Sequence, residues 1–186
     1  MPQQPMGPGD SISPRGAVNL INEFIAGYAT GFTPFLRRDF GPEAFPRFTG
    51  VFAMILMLLM AASVPILRLY FVAWIIALLL ARAKTSANTR RGLYQHSGYN
   101  GVPAVAMRLF RCKDEARAKK LEPLIVLLPG IALFRDYDQL GGFFIGGAVC
   151  MWMVESTINY AYQRKAQALR DARIEAEYLA ELSRHL

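Results

Sequence analysis

The sequence predicts an all-α integral membrane protein. It is expected to contain two transmembrane helical hairpins (about four spans), an N-terminal interfacial amphipathic helix and a long C-terminal cytoplasmic helix. Of the 186 residues, 53% are hydrophobic, and the mean hydropathy is +0.22. The apolar residues are concentrated in blocks, as in membrane-spanning chains. The net charge of +7 comes from basic residues that flank these blocks, which favours a membrane partner over nucleic acid.

The chain before the first apolar block divides into two parts. Residues 1–16 are rich in Pro and Gly and predict a flexible arm without the pattern of a cleavable signal peptide. Residues 17–46 predict an interfacial amphipathic helix and a Pro/Gly linker, because apolar side chains recur there at helical spacing. A fifth span is the alternative, but Glu23 makes it costly in hydrocarbon. Gly27 and Gly31 are four residues apart, so a second helix is expected to approach closely there.

Residues 47–83 predict the first hairpin. The segment from Phe48 to Ala81 contains a single charged residue, Arg68. As one helix it would measure about 51 Å, whereas the hydrocarbon core of a bilayer is about 30 Å thick. Pro65 removes a backbone donor and disfavours helix at Val64, so the turn is expected there. The alternative is one long kinked helix.

Residues 121–154 predict the second hairpin, with a polar turn at Arg135–Gln139 between its arms. The first arm contains Pro129 and is short, so it is expected to recruit flanking residues, to kink or to enter the bilayer without crossing it. The second arm carries three glycines expected to pack against another helix in lipid, namely Gly142, Gly146 and Gly147.

Basic residues set the expected orientation. Of 21 lysines and arginines, only Arg68 and Arg135 fall at the two tight turns. The positive-inside rule therefore places the basic loop at residues 84–120 and both termini in the cytoplasm of a bacterial-type inner membrane. Five residues of this loop are candidates for binding anionic lipid headgroups, namely Arg108, Arg111, Lys113, Lys119 and Lys120. The turn Tyr94–Gly101 is either a surface turn or a ligand site that includes His96.

Residues 155–186 predict a cytoplasmic helical tail that continues the last span, because they are rich in Ala, Glu and Arg. A sparse apolar seam through Leu169, Ala176 and Leu179 is a candidate surface for docking a partner. The alternative is a solvated helix held by local charge pairs.

Charged residues at the membrane boundary are the remaining candidates. Arg68, Glu122 and Glu155 are the membrane-embedded or membrane-proximal charges. The two glutamates are expected either to pair with a nearby Lys or Arg at ordinary helix ends or to take part in function. No catalytic, cofactor or metal motif occurs, and Cys112 and Cys150 lack metal-ligand spacing. The sequence therefore predicts no catalytic residue, no metal and no cofactor.

These features favour a structural or accessory subunit of a larger membrane assembly. Its expected partners are lipids, preferably anionic, and other membrane-protein subunits or a second copy of itself, with no nucleic acid. The alternative is a small oligomeric transporter or channel component that uses Glu122 or Glu155. A lipid-acting enzyme with His96 as its acid or base is a more distant alternative.

Overall fold

The computed structural model describes residues 14–42, 44, 47–93 and 99–184. This part of the chain is helical without strands, so the predicted all-α class is confirmed. The helices are α1 (Pro14–Thr30), α2 (Thr33–Leu36), α3 (Arg47–Ser63), α4 (Leu67–Arg90), α5 (Ala104–Leu109), α6 (Glu115–Phe134) and α7 (Asp138–Arg184). Of the predicted flexible arm at residues 1–16, residues 1–13 lie outside the described residues and the last three belong to α1. The hypothesis about His96 also lies outside the described residues.

The turn between α3 and α4 is built around Pro65. Helix α3 ends at Ser63 and α4 begins at Leu67, because Pro65 cannot donate a backbone hydrogen bond. The Arg68 amide donates to the Pro65 carbonyl at 3.1 Å. The Arg68 guanidinium turns back to the Ala61 carbonyl at 3.4 Å, near the negative end of the α3 dipole. Arg68 is exposed and therefore lies at the turn rather than inside the bundle.

Helices α6 and α7 form the most extensive helix–helix contact. Asp114 caps α6 by accepting from the Ala116 amide at 3.0 Å, so the helix begins before the apolar block and runs through Pro129. A Cβ atom at Gly130 would stand 3.0 Å from the Ile145 backbone nitrogen. A side chain at position 130 would force the neighbouring atoms to shift, so glycine suits the close approach of the two backbones.

Helix α1 packs against α3 and α7 through its C-terminal half. Phe32 is buried, and its ring centroid lies 5.1 Å from that of Phe143. Tyr70 donates to the Gly31 carbonyl at 2.9 Å, and the Trp74 indole donates to the Thr30 carbonyl at 3.0 Å. These two donors satisfy carbonyls that the end of α1 leaves open. They also fix α4 against α1.

The outward faces of the helices are strongly apolar. Leu69 is 80% exposed, and Leu59, Leu80 and Trp152 are each at least 59% exposed. Within the described residues, one helix is long and apolar enough to cross a membrane, and it lies in Asp138–Tyr178. Thr49–Ser63 is a shorter apolar helix. The structure is therefore a helical protein with one candidate membrane span.

Candidate functional site: a buried ionic cluster at the base of the last helix

Two short loops meet where α2 ends. The backbones of Arg38 and Val102 exchange hydrogen bonds at 2.9 and 2.7 Å, and the Gly41 amide donates to the Tyr99 carbonyl at 2.8 Å. Gly101 adopts a φ of +81°, and a Cβ atom there would stand 3.0 Å from the Phe40 ring. Glycine is therefore the residue that fits this position. The pairing of these loops directs Arg37 towards α6 and α7.

Arg37, Glu122 and Glu155 form a buried ionic cluster. The Arg37 Nε and Nη2 atoms lie 2.7 and 2.5 Å from the same oxygen, Glu122 Oε2. Arg37 Nη2 also lies 3.5 Å from Glu155 Oε2, and Nη1 donates to the Asn100 carbonyl at 3.2 Å. One guanidinium thus joins the loop after α2, the loop before α5 and the last two helices.

The ionic cluster contains two carboxylates for one guanidinium. Glu122 is fully buried, Arg37 is 4% exposed and Glu155 is 6% exposed. Because both Arg37 nitrogens share Glu122 Oε2, the other oxygen, Oε1, is buried without a hydrogen-bond partner among the described residues. A buried ion pair loses much stability when one partner is removed, because the other charge is then left uncompensated. The ionic cluster therefore holds α7 in place and still contains one acceptor that is not used.

A second polar group lies beside the ionic cluster. The Tyr99 hydroxyl donates to Glu115 Oε1 at 2.6 Å, and Lys119 Nζ lies 2.8 Å from the same oxygen. Burial raises the pKa of Glu115, but the hydrogen bonds and charges of its partners outweigh burial and hold that pKa below its usual value. Burial and the hydrogen bond to Glu115 raise the pKa of Tyr99. At neutral pH this arrangement keeps Glu115 ionised and Tyr99 protonated.

A cavity of about 490 Å³ opens against α7 next to these groups. Its lining includes Tyr99, Lys119, Glu155, Ile158, Tyr162 and Lys165. Glu155 therefore belongs both to the ionic cluster and to the wall of this cavity. We call this space the α7 cavity. Its volume is within the range of small-molecule sites.

Helix α7 leaves the bundle just beyond Glu155. Glu155 is the last described residue of α7 that is buried, and every described side chain from Tyr160 to Tyr178 is exposed. Residues Tyr160–Arg184, which we call the C-terminal arm, would extend about 37 Å at 1.5 Å per residue. Leu169 is 73% exposed on this arm, and Ala176 is exposed as well. The side chain of Leu179 lies outside the described residues.

The glycines that the sequence predicts as packing positions face different neighbours. A Cβ atom at Gly27 would stand 2.6 Å from the Phe52 ring, and one at Gly31 would stand 3.2 Å from Met57 Sδ. On α7, Gly146 lies against the Tyr28 hydroxyl and Gly147 against the Phe32 ring. A Cβ atom at Gly142 would have one described neighbour within 4 Å outside its own stretch of helix, the Phe134 ring at 3.9 Å. Gly146 and Gly147 therefore face α1 and the residues that follow it within the same chain.

The predicted lipid-binding residues differ in their exposure. Arg108, Arg111, Lys113 and Lys120 are exposed, and Arg111 adopts a φ of +50°. Lys119 is half-buried and pairs with Glu115. Within the described residues, no group of three or more His, Cys, Asp or Glu side chains is arranged to hold a metal ion.

Sequence reasoning identified two members of the ionic cluster and missed the third. One of its two alternatives paired Glu122 and Glu155 with a nearby Lys or Arg, whereas their partner in the structure is Arg37, which is 85 residues from Glu122. A local pattern cannot identify such a distant pair. The sequence held no signal for this pairing, because Lys119 and Lys120 lie next to Glu122 along the chain and offer a nearer cation.

No protein-family model matches this chain, and neither a curated protein nor a solved structure matches it.

Proposed function

We propose that this chain is a structural or accessory subunit of a larger membrane assembly, and that its C-terminal arm docks on another subunit. The observation that carries the proposal is the continuity of α7. This 47-residue helix is anchored by the ionic cluster at Glu155 and then continues with exposed side chains. In proteins, a helix gains most of its stability from packing against other elements. A helix that extends this far from its own bundle provides a surface for a partner.

The membrane placement is part of the same proposal. The α3–α4 and α6–α7 pairs are the two proposed hairpins, with the termini and the basic loop on the cytoplasmic side of a bacterial-type inner membrane. Exposed leucines on α3 and α4 and the exposed Trp152 on α7 support this placement, because large apolar patches are unusual on soluble proteins. The helix α3 contains 17 residues, which is short for a span and requires local thinning of the bilayer or its flanking residues.

The docking role of the C-terminal arm can be tested by shortening the chain. A stop after Lys165 retains the ionic cluster and the α7 cavity and removes most of the C-terminal arm. The shortened protein should insert into the membrane and remain folded, but it should no longer migrate with a larger complex after gentle detergent extraction. Native gel electrophoresis of the shortened and the full-length protein measures whether each migrates with the larger complex. A shortened chain that still migrates in the large complex would rule out the arm as the docking element.

A matched pair of substitutions tests the predicted face of the arm. Leu169→Asp should reduce recovery of the complex at least about tenfold, because it removes the burial of one leucine and introduces a charge into the interface. Gln167→Asp adds the same charge on the opposite helix face, since two residues along a helix turn about 200°. This control should leave recovery unchanged. Equal losses in both variants would contradict docking through the seam.

A transporter or channel component is the second candidate. The observation that favours it is the buried Glu122 Oε1, which has no hydrogen-bond partner in the described part of the chain and lies in a cluster with one more carboxylate than cation. Carboxylates in such surroundings bind protons or cations in transport proteins. Ion flux into liposomes that contain the purified protein tests this. Flux that Glu122→Gln abolishes would favour transport, and absence of flux from folded protein would exclude it.

A further inference from the structure

The α7 cavity carries opposite charges at different parts of its wall. Lys165 is exposed at its rim, and no described carboxylate pairs with it. Lys119 also lines the cavity, and its ammonium has three donors, of which the contact with Glu115 needs one, while Nζ lies 4.9 Å from the Tyr99 ring centroid. Glu155 is buried and weakly satisfied, since its nearest partners are Arg37 at 3.5 Å and Asn159 at 3.4 Å. The cavity therefore presents two ammonium groups and one carboxylate to a ligand.

The charges around the cavity are balanced. Three cationic and three anionic side chains form it and its supporting contacts, namely Arg37, Lys119, Lys165, Glu115, Glu122 and Glu155. A simple anion at the lysines would leave Glu155 with its long contacts to Arg37 and Asn159, and a simple cation at Glu155 would leave Lys165 without a described carboxylate. A zwitterion with separated charges satisfies both and adds no net charge to a partly buried site.

We propose that the α7 cavity binds a phosphoamine zwitterion, with its phosphate at Lys119 and Lys165 and its primary ammonium at Glu155. Phosphate accepts charge-assisted hydrogen bonds from lysine, and an ammonium donates to a carboxylate. Ile158 and the Tyr162 ring provide the apolar wall for the carbon atoms between the two charges. The same pair of groups occurs in the headgroup of phosphatidylethanolamine, where the phosphodiester and the ammonium cancel, and in free phosphoethanolamine, whose phosphomonoester carries additional negative charge at neutral pH.

Native mass spectrometry of the full chain tests this proposal. The protein is incubated in detergent with equal amounts of phosphatidylethanolamine and phosphatidylglycerol, and the bound lipids are counted. The wild-type protein should retain phosphatidylethanolamine in preference. Lys165→Ala should lower that retention by about three- to tenfold, as expected for one charge-assisted hydrogen bond at a partly exposed site. Ala161→Trp should lower it as well, because the indole fills the cavity that Ala161 lines.

The control is Arg164→Ala, which removes the same charge from the neighbouring residue, where the guanidinium lies over the Tyr160 ring. It should retain the lipid as the wild type does. Free phosphoethanolamine that displaces the bound lipid would indicate recognition of the headgroup from either source, whereas binding of the lipid alone would identify the membrane as the source. Equal retention of the two lipids, or equal retention by the wild-type, Lys165→Ala and Ala161→Trp proteins, would overturn the proposal.

Discussion

The ionic cluster allows a quantitative test of what holds α7. Arg37→Met keeps the length of the side chain but leaves Glu122 and Glu155 buried without their cation. Removing one partner of a buried pair costs about 3–5 kcal/mol, and the 0% exposure of Glu122 favours the upper end of that range. Glu122→Leu alone leaves Arg37 with Glu155 at 3.5 Å and should therefore cost less. The double substitution removes both charges.

A double-mutant cycle isolates the contact between Arg37 and Glu122. The double variant should be more stable than the sum of the two single losses predicts, by about 2 kcal/mol or more, because the second substitution removes Glu122, one of the two carboxylates that Arg37→Met left unpaired. Glu155 loses its cation in both variants that lack Arg37, so that loss cancels in the cycle. Unfolding in detergent can be followed by the fluorescence of Trp74, which is fully buried and donates to the Thr30 carbonyl. Trp152→Phe removes the second tryptophan, which is exposed. Additive losses would refute the coupling.

Three further predictions use independent features of the structure. Gly147→Ile should weaken the packing of α7 on Phe32 and lower the unfolding midpoint. Asp138→Asn changes an exposed residue and should leave the midpoint unchanged, and equal midpoints for the two variants would contradict this packing. Glu115 has a lowered pKa, so its contribution to stability is complete above its unfolded value of about 4.3 and is lost as the pH falls through the folded value. Glu115→Gln should flatten that part of the stability–pH curve, and an unchanged acid limb would refute the assignment. In intact cells, an impermeant thiol reagent should label Asp138→Cys and spare Lys113→Cys in a background without the native cysteines, and the reverse pattern would invert the proposed topology.

Local chemistry predicted the turn after α3 and the continuation of α7 beyond its apolar segment. Pro65 disfavours helix at Val64 and cannot donate a backbone hydrogen bond, and α3 ends at Ser63 for these reasons. The Ala- and Glu-rich composition after Glu155 favours helix over its whole length, and α7 continues to Arg184 without a break. The end of α4 differs from the prediction. The first hairpin was predicted to end at residue 83, whereas α4 continues to Arg90, beyond the last apolar residue of its block.

The apolar face of α1 could be covered either by lipid or by the rest of the protein. Only the tertiary structure shows which of the two applies to each residue. Ile21 and Phe24 are 58% and 44% exposed, in agreement with an apolar face open to its surroundings. Tyr28 and Phe32 continue the same pattern, but they pack against Phe143. Periodicity identifies an apolar face and does not identify what covers it, because lipid and protein are both suitable neighbours.

The sequence by itself determined the helical class, the apolar blocks and the distribution of basic residues, since these depend on backbone propensity and composition over short segments. Tertiary structure decided which charges meet. Arg37 reaches Glu122 and Glu155 because the loop after α2 pairs with the loop before α5, and Gly101 permits that close approach. Electrostatic attraction depends on distance in space, and only the packed chain brings residues that are 85 positions apart to within hydrogen-bond distance.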